Sequence, residues 1–263
     1  MSNKREREYE RRRFEKWQAR QEAHARRRRQ RIVAGGVVGA IVAVIVIVAV
    51  VVANGDDEAA PGSTSGGATS TTGVDEATAT PGAAPTNSAD VPDPALAQAR
   101  TWTGDLTLNT GELAITLDGK AAPQAVANFV TLADKGFFDG TKCHRLTTSG
   151  IFVLQCGDPD ATGQGGPGYT WGPIENAPAD GIYPKGTIAM ARVGGDAWSM
   201  GSQFFIVYQD SSIPSDGAGG YTVFGKVTSG LDVVEAIADA GTAGGATDGP
   251  PVSDVIIEGV KTQ

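Results

Sequence analysis

Histidine is almost missing from this 263-residue chain. Only His24 and His144 are present, so no metal centre can be built from histidines and no Ser-His-Asp set is suggested. The glycine-rich run GQGGPG at 163–168 lacks a following GK[ST], and no helix is expected to open after it. Its backbone donors therefore lack the helix N-terminus with which such loops bind phosphate. Residues 32–53 contain no charge, and residues 54–93 contain almost no large apolar side chain. Cysteine is equally scarce, with Cys143 and Cys156 alone, and no internal repeat is evident.

What is present is unevenly distributed. Residues 1–31 carry thirteen Lys and Arg against five Glu, a charge of +8, and the remainder carries −16, for a net of −8. Such a split argues for two compartments rather than one surface. The uncharged run 32–53 is long enough to cross a hydrocarbon core of about 30 Å as a helix rising about 1.5 Å per residue. Arginines 26–29 and Arg31 precede it, and Asp56, Asp57 and Glu58 follow soon after. The positive-inside rule then keeps the N-terminus cytoplasmic and puts the C-terminal bulk outside a plasma membrane. Val51-Val52-Ala53 loosely resembles a signal-peptidase site, but the basic leader and the apolar run both exceed a signal peptide in length. Arginines interleaved with glutamates next to a membrane span argue against nucleic-acid binding. They serve topology, with attraction to anionic headgroups as the alternative.

Residues 54–99 read as a flexible tether, too poor in apolar side chains to offset the entropy of ordering. From about residue 100 to residue 263 the pattern changes to short alternating strands and glycine-marked turns, in a segment large enough for one core. Leu106, Leu108, Leu113, Ile115 and Leu117 alternate about Asn109-Thr110-Gly111 as a first hairpin. Residues 123–135 and 231–240 read as helices, each with a glycine just beyond its end. Many short strands with only two helices predict an all-β, closed antiparallel barrel capped by the helices.

The stretch FFDGTKCHRLTTSGIFVLQCGD, 137–158, organises this domain. Residues 141–147 and 152–157 read as strands joined by a turn at 148–150, presenting Arg145 beside Phe152 and Gln155. A guanidinium beside an aromatic wall and an amide suits a neutral polar substrate that needs hydrogen-bond donors. No nucleophile is implied. His144, Arg145, Phe152, Gln155, Gly157 and Asp158 together resemble the signature of the cyclophilin family of peptidyl-prolyl cis/trans isomerases. The blocks YPKGTIAMAR from Tyr183, SQFFIVY from Ser202 and YTVFGKV from Tyr221 fit the same family in the same order. The likeness covers about residues 103–263; with the uncharged run 32–53 it suggests a membrane-anchored member, and the Ala-, Gly- and Arg-rich composition suggests a high-GC bacterium of actinobacterial type.

The resemblance implies an eight-stranded barrel, an isomerase without cofactor or metal, and proline-containing peptides and folding proteins as substrates, with cyclosporin-like molecules as further ligands. Arg145 becomes the catalytic donor. Phe152, Val153, Phe205, Ile213 and Tyr221 become the pocket, Gln155, Ala191, Arg192 and Gln203 contact the peptide backbone, and His144 is mainly a positioning residue. Val153, Tyr221 and Ile213-Pro214 stand where the family often has Met, His and Trp-Leu, which bears on substrate preference and cyclosporin affinity. One extra residue between Arg145 and Phe152 predicts a bulged turn. The family register pairs 143 with 156, 144 with 155 and 145 with 154. That would set Cys143 against Cys156, either as a disulfide in an oxidising exterior or as two buried thiols.

Overall fold

The computed structural model describes residues 85–263, so segments 1–31, 32–53 and most of the expected tether lie outside the described residues. Among the described residues no helix is long and apolar enough to cross a membrane. Among the described residues a 3-10 turn at Pro94–Ala97 precedes an antiparallel pair, β1 (Thr101–Leu108) and β2 (Gly111–Asp118). Trp102, Leu106 and Leu108 of β1 and Leu113, Ile115 and Leu117 of β2 alternate into the core, as a period of two requires. Helix α1 (Pro123–Asp134) follows, with proline at its first position. The Glu175 carboxylate accepts hydrogen bonds from the backbone N–H groups of Gln124 and Ala125, both 3.0 Å, satisfying two donors that a helix start leaves unpaired.

The hairpin of β3 (Arg145–Ser149) and β4 (Ile151–Cys156) comes next, then β5 (Ile182–Tyr183), β6 (Thr187–Met190), β7 (Phe204–Val207), β8 (Ser211–Ser212) and β9 (Val223–Ser229). Helix α2 (Leu231–Ala240), β10 (Asp248–Gly249) and β11 (Ile257–Thr262) complete the chain. Nine strands form one antiparallel sheet in the order β10-β3-β4-β7-β6-β9-β2-β1-β11, while β5 and β8 pair separately. Nine replaces the expected eight because β10, two residues in a Gly- and Pro-rich stretch without apolar alternation, pairs with β3. The stretch before β3 also bonds the stretch leading into β11: Gly140 N–H to Ile257 O at 2.7 Å, Cys143 N–H to Val255 O at 2.9 Å and Ile257 N–H to Thr141 O at 2.9 Å.

The main core lies between α1 and one face of this sheet. Phe129 of α1 meets Phe138, Phe204 and Phe224 at ring separations of 5.0, 5.5 and 5.3 Å. Each such ring buries on the order of 150–250 Å². Leu146, Leu154, Ile188 and Ile206 point to this core. Val153, Ala189, Phe205 and Val207, one residue out of phase, form a smaller apolar cluster with Tyr183 and Ile213.

Three expectations are corrected. The β3–β4 register runs without interruption, with Arg145 opposite Gln155 and Ser149 opposite Ile151, so the tip is not bulged. Gly150 makes the turn alone at φ +77°, a conformation that costs other residues a steric penalty. The register is thus one residue away from the expected pairing of 145 with 154. Lastly, the tether does not extend to residue 99. The Asn87 amide donates to Gly172 O and to Gln124 Oε1 and accepts from Gly172 N–H, all at 3.0 Å. Gln124 Nε2 donates to Pro92 O at 2.8 Å, and the Trp102 indole N–H donates to Ala97 O at 2.9 Å. Val91 and Ala97 are buried around a 3-10 turn at Pro94–Ala97. A few specific polar partners thus dock a segment whose composition is that of a linker.

Candidate active site

Strand register assembles the site. Arg145 lies opposite Gln155, Gln155 opposite Phe205, and Phe205 opposite Ala189, so one row across β3, β4, β7 and β6 shares a face. Val153 occupies the same face two residues along β4, and Ile213 and Tyr221 close the apolar side. Tyr221 meets the Phe205 ring edge to face at 5.6 Å. Tyr183, which sequence reasoning did not single out although it opens the quoted YPKGTIAMAR block, is fully buried beneath both rings. Its hydroxyl accepts the Tyr221 backbone N–H at 2.7 Å.

Arg145 is held at three points. Its Nε and Nη2 donate to the two oxygens of Asp248 at 2.8 and 2.7 Å, and its Nη1 donates to Gln155 Oε1 at 3.2 Å. Three of its five N–H donors are so engaged, leaving two. The side chain is 40% exposed. The hydrogen bonds to Asp248 raise the arginine's pKa and hold the Asp248 carboxyl below the usual carboxylate range. Gln155 Nε2 in turn donates to Gln203 Oε1 at 2.9 Å, and Gln203 Nε2 donates to Gly165 O at 2.9 Å.

The loop that receives this chain is organised by Asp158, which is buried and accepts backbone N–H groups from residues 160, 162, 163 and 165. Those hydrogen bonds outweigh burial and lower its pKa. A Cβ on Gly165 would collide with the Asp158 carboxylate, so glycine is required for this close approach. The loop is therefore a carboxylate nest built within the chain. Among the described residues no group of three or more His, Cys, Asp or Glu could hold a metal ion.

Three of the expected site residues take other places. Phe152 projects from β4 on the face opposite Val153 and packs edge to face on Tyr208 at 6.0 Å, alongside the main core. Consecutive strand residues cannot line one pocket. The Arg192 side chain is 0% exposed and spends every N–H donor internally. It donates to Asp216, to the carbonyls of Val193, Gly219 and Gly220, and lies 4.6 Å over the Tyr221 ring. It supports the wall, and only its backbone can face a peptide. The third is His144, whose ring nitrogens are shut off from solvent without a hydrogen-bond partner, near Gly163. Burial lowers its pKa more than the field of Asp158 raises it, so the ring is neutral at neutral pH. Ala191 donates its N–H to Gln203 O at 2.9 Å at the cleft's edge. A disulfide joins Cys143 to Cys156, diagonal to one another across the hairpin and flanking the His144–Arg145 pair. Asp248 was outside every motif, and nothing in GTAGGATDGPP marks it as a site residue.

The arrangement is a fixed cation with two uncommitted donors at the rim of an apolar cleft, with no nucleophile–base pair beside it. It can orient and polarise an amide.

A family model for cyclophilin type peptidyl-prolyl cis-trans isomerase/CLD matches residues 103–262. Over 169 residues the chain is 45% identical to a probable peptidyl-prolyl cis-trans isomerase B of Mycobacterium tuberculosis, covering 59% of this chain and 52% of that protein. Its counterpart in Mycobacterium leprae is 42% identical over 173 residues, 61% of this chain and 57% of the relative. The chain thus spans little more than half the length of these relatives. Peptidyl-prolyl cis-trans isomerase B of Bacillus subtilis is 44% identical over 131 residues, 49% of this chain and 86% of that one. A crystal structure of a Cryptosporidium parvum cyclophilin type peptidyl-prolyl cis-trans isomerase superposes with TM-score 0.53 at 27% identity, covering 62% of this chain and 98% of its own. The same protein crystallised in the presence of the dipeptide Ala-Pro gives TM-score 0.51 at 27% identity, covering 61% of this chain. On the strand-by-strand placement of the motif and a family match over more than half of its length, this chain belongs to the cyclophilin-type peptidyl-prolyl cis-trans isomerases.

Proposed function

We propose that the protein accelerates cis/trans rotation about X-Pro bonds in peptides and folding proteins. One observation carries the reading: a permanently charged guanidinium, gripped on one edge, keeps two donors open beside the Val153, Phe205, Ile213 and Tyr221 cleft. Rotation of an amide meets a barrier of about 18–20 kcal/mol because the nitrogen lone pair is delocalised into the carbonyl. In the twisted state the lone pair localises on nitrogen and accepts a hydrogen bond that neither planar isomer can accept equally. A donor fixed in advance therefore binds the twisted geometry best, which is what lowers a barrier. The apolar cleft takes the proline ring, and Gln155, Gln203 and the backbone at Ala191 and Arg192 hold the flanking peptide. The relatives' names and the structure prepared with Ala-Pro support this assignment.

Cyclosporin-like cyclic peptides are further candidate ligands of the same cleft. The sheet reads as a closed barrel, its ends joined between 140–143 and 255–257. The uncharged run 32–53 supports a single-pass plasma-membrane anchor with the N-terminus cytoplasmic and the isomerase domain outside, on a tether of residues 54–86. Exchange spectroscopy by NMR on an Ala-Pro-containing peptide, with the full chain in detergent, tests the activity. Accelerated cis/trans exchange at substoichiometric protein is expected. Peptide binding without faster exchange would make the protein a proline-peptide binding module instead.

A further inference from the structure

Asp248 belongs to no motif, yet both of its carboxylate oxygens accept hydrogen bonds from the Arg145 guanidinium. It lies on β10 opposite Thr147, and since alternate residues share a face, it is on the Arg145 face of the sheet, one diagonal step away. Its carboxylate grips the guanidinium at Nε and Nη2, the two-point geometry that fixes a planar group in both angle and plane. β10 is itself held. Thr148 N–H bonds Thr247 O at 2.8 Å, Ala243 N–H bonds Pro250 O at 2.8 Å, and Val252 N–H bonds Gly241 O at 2.9 Å. The carboxylate is therefore presented from a pinned segment.

From this we infer that Asp248 is the positioning residue for Arg145, an inference that rests on the isomerase reading. An unheld arginine side chain samples many rotamers and has no preferred edge. Asp248 removes that freedom and commits the Nε edge, so the donors left for a peptide are those on Nη1 and Nη2. Gln155 takes one Nη1 donor and continues through Gln203 to Gly165 as a chain whose donors all run one way. The arginine thereby fixes the amide orientation of both glutamines, and each glutamine can offer only its remaining atoms to a peptide. The contact is half exposed, with Asp248 53% accessible, and exposed pairs contribute little to stability. Its role is geometric.

The test uses kcat, KM and Tm of the full chain as wild type, Asp248→Ala, Asp248→Asn, Arg145→Ala and the Arg145→Ala/Asp248→Ala double variant. Asp248→Ala lowers kcat by about tenfold to a hundredfold, the loss a misplaced catalytic group produces. KM changes less, Tm stays within about 2 °C, and Asp248→Asn, which keeps one acceptor, falls between. In the Arg145→Ala background the Asp248 change costs nothing further. An unchanged kcat in Asp248→Ala, or the same loss with and without Arg145, overturns the inference. A second readout is independent of turnover: the Arg145 Nε–H resonance, sharp and slowly exchanging in the wild type, broadens or vanishes in Asp248→Ala. If the wild type does not turn over peptide but that resonance behaves so, the isomerase reading fails and the clamp stands. If it is unaffected, the clamp fails.

Discussion

Arg145 and His144 are adjacent in sequence, and the two-residue strand period separates their chemistry: one reaches the rim as a cation, the other turns inward as a neutral ring. His144 has a folded pKa below its unfolded value of about 6.5, because burial disfavours the charged ring. Its contribution to stability is therefore complete above about pH 6.5 and is lost as pH falls through the lower folded value. Thermal melts at pH 7.5 and 5.5 should show a larger fall in Tm for the wild type than for His144→Gln, while equal falls would contradict the assignment. Arg145, Gln155 and Phe205 were legible in the sequence because the motif spacing carries them. Phe152 was misplaced although the signal was there: neighbours on a strand face opposite ways, so Phe152 and Val153 cannot both line the cleft. Asp248 carried no signal, since a carboxylate among glycines, threonine and prolines has neither periodicity nor a near partner in sequence.

Among the elements, the first hairpin and both helices follow from periodicity and their proline and glycine boundaries, and the helix limits agree to within a residue. Register was less legible. A slip of one residue would set Arg145 against Leu154 and turn it from Gln155, and only the single-glycine turn at Gly150 decides between them. The docked strap 87–99 escaped notice because its hold is mostly polar: Asn87 and Gln124 find partners far along the chain, and the Trp102 indole reaches back to Ala97. Residues 215–220 show the same principle at the cleft, where Arg192 gathers Asp216 and two carbonyls under the Tyr221 ring. Bound by Arg192 and by backbone N–H groups, Asp216 has its carboxyl driven far below the ordinary range. Arg192→Met should lower Tm, speed proteolytic cleavage within 215–220 and raise KM about tenfold through a loosened Tyr221, with a smaller change in kcat. Unchanged KM and cleavage would show that the loop stands without the clamp.

For the whole molecule, the charge asymmetry and the uncharged run 32–53 lead to a proposed arrangement of an isomerase domain tethered outside a membrane. Protease added to intact cells should remove the domain and leave a short membrane-associated fragment, whereas protection of the domain would reverse the orientation. Beyond residue 31 the chain carries nine Lys and Arg against twenty-five Asp and Glu, a balance of −16, and the proposed activity rests on one of those few cations, the guanidinium of Arg145. The most direct measurement is kcat/KM for a prolyl peptide with the full chain and with Arg145→Ala, each checked for an unaltered fold. Removal of one pre-positioned donor is expected to cost about a hundredfold to a thousandfold. An Arg145→Ala protein that is folded and turns over peptide at the wild-type rate would contradict the account.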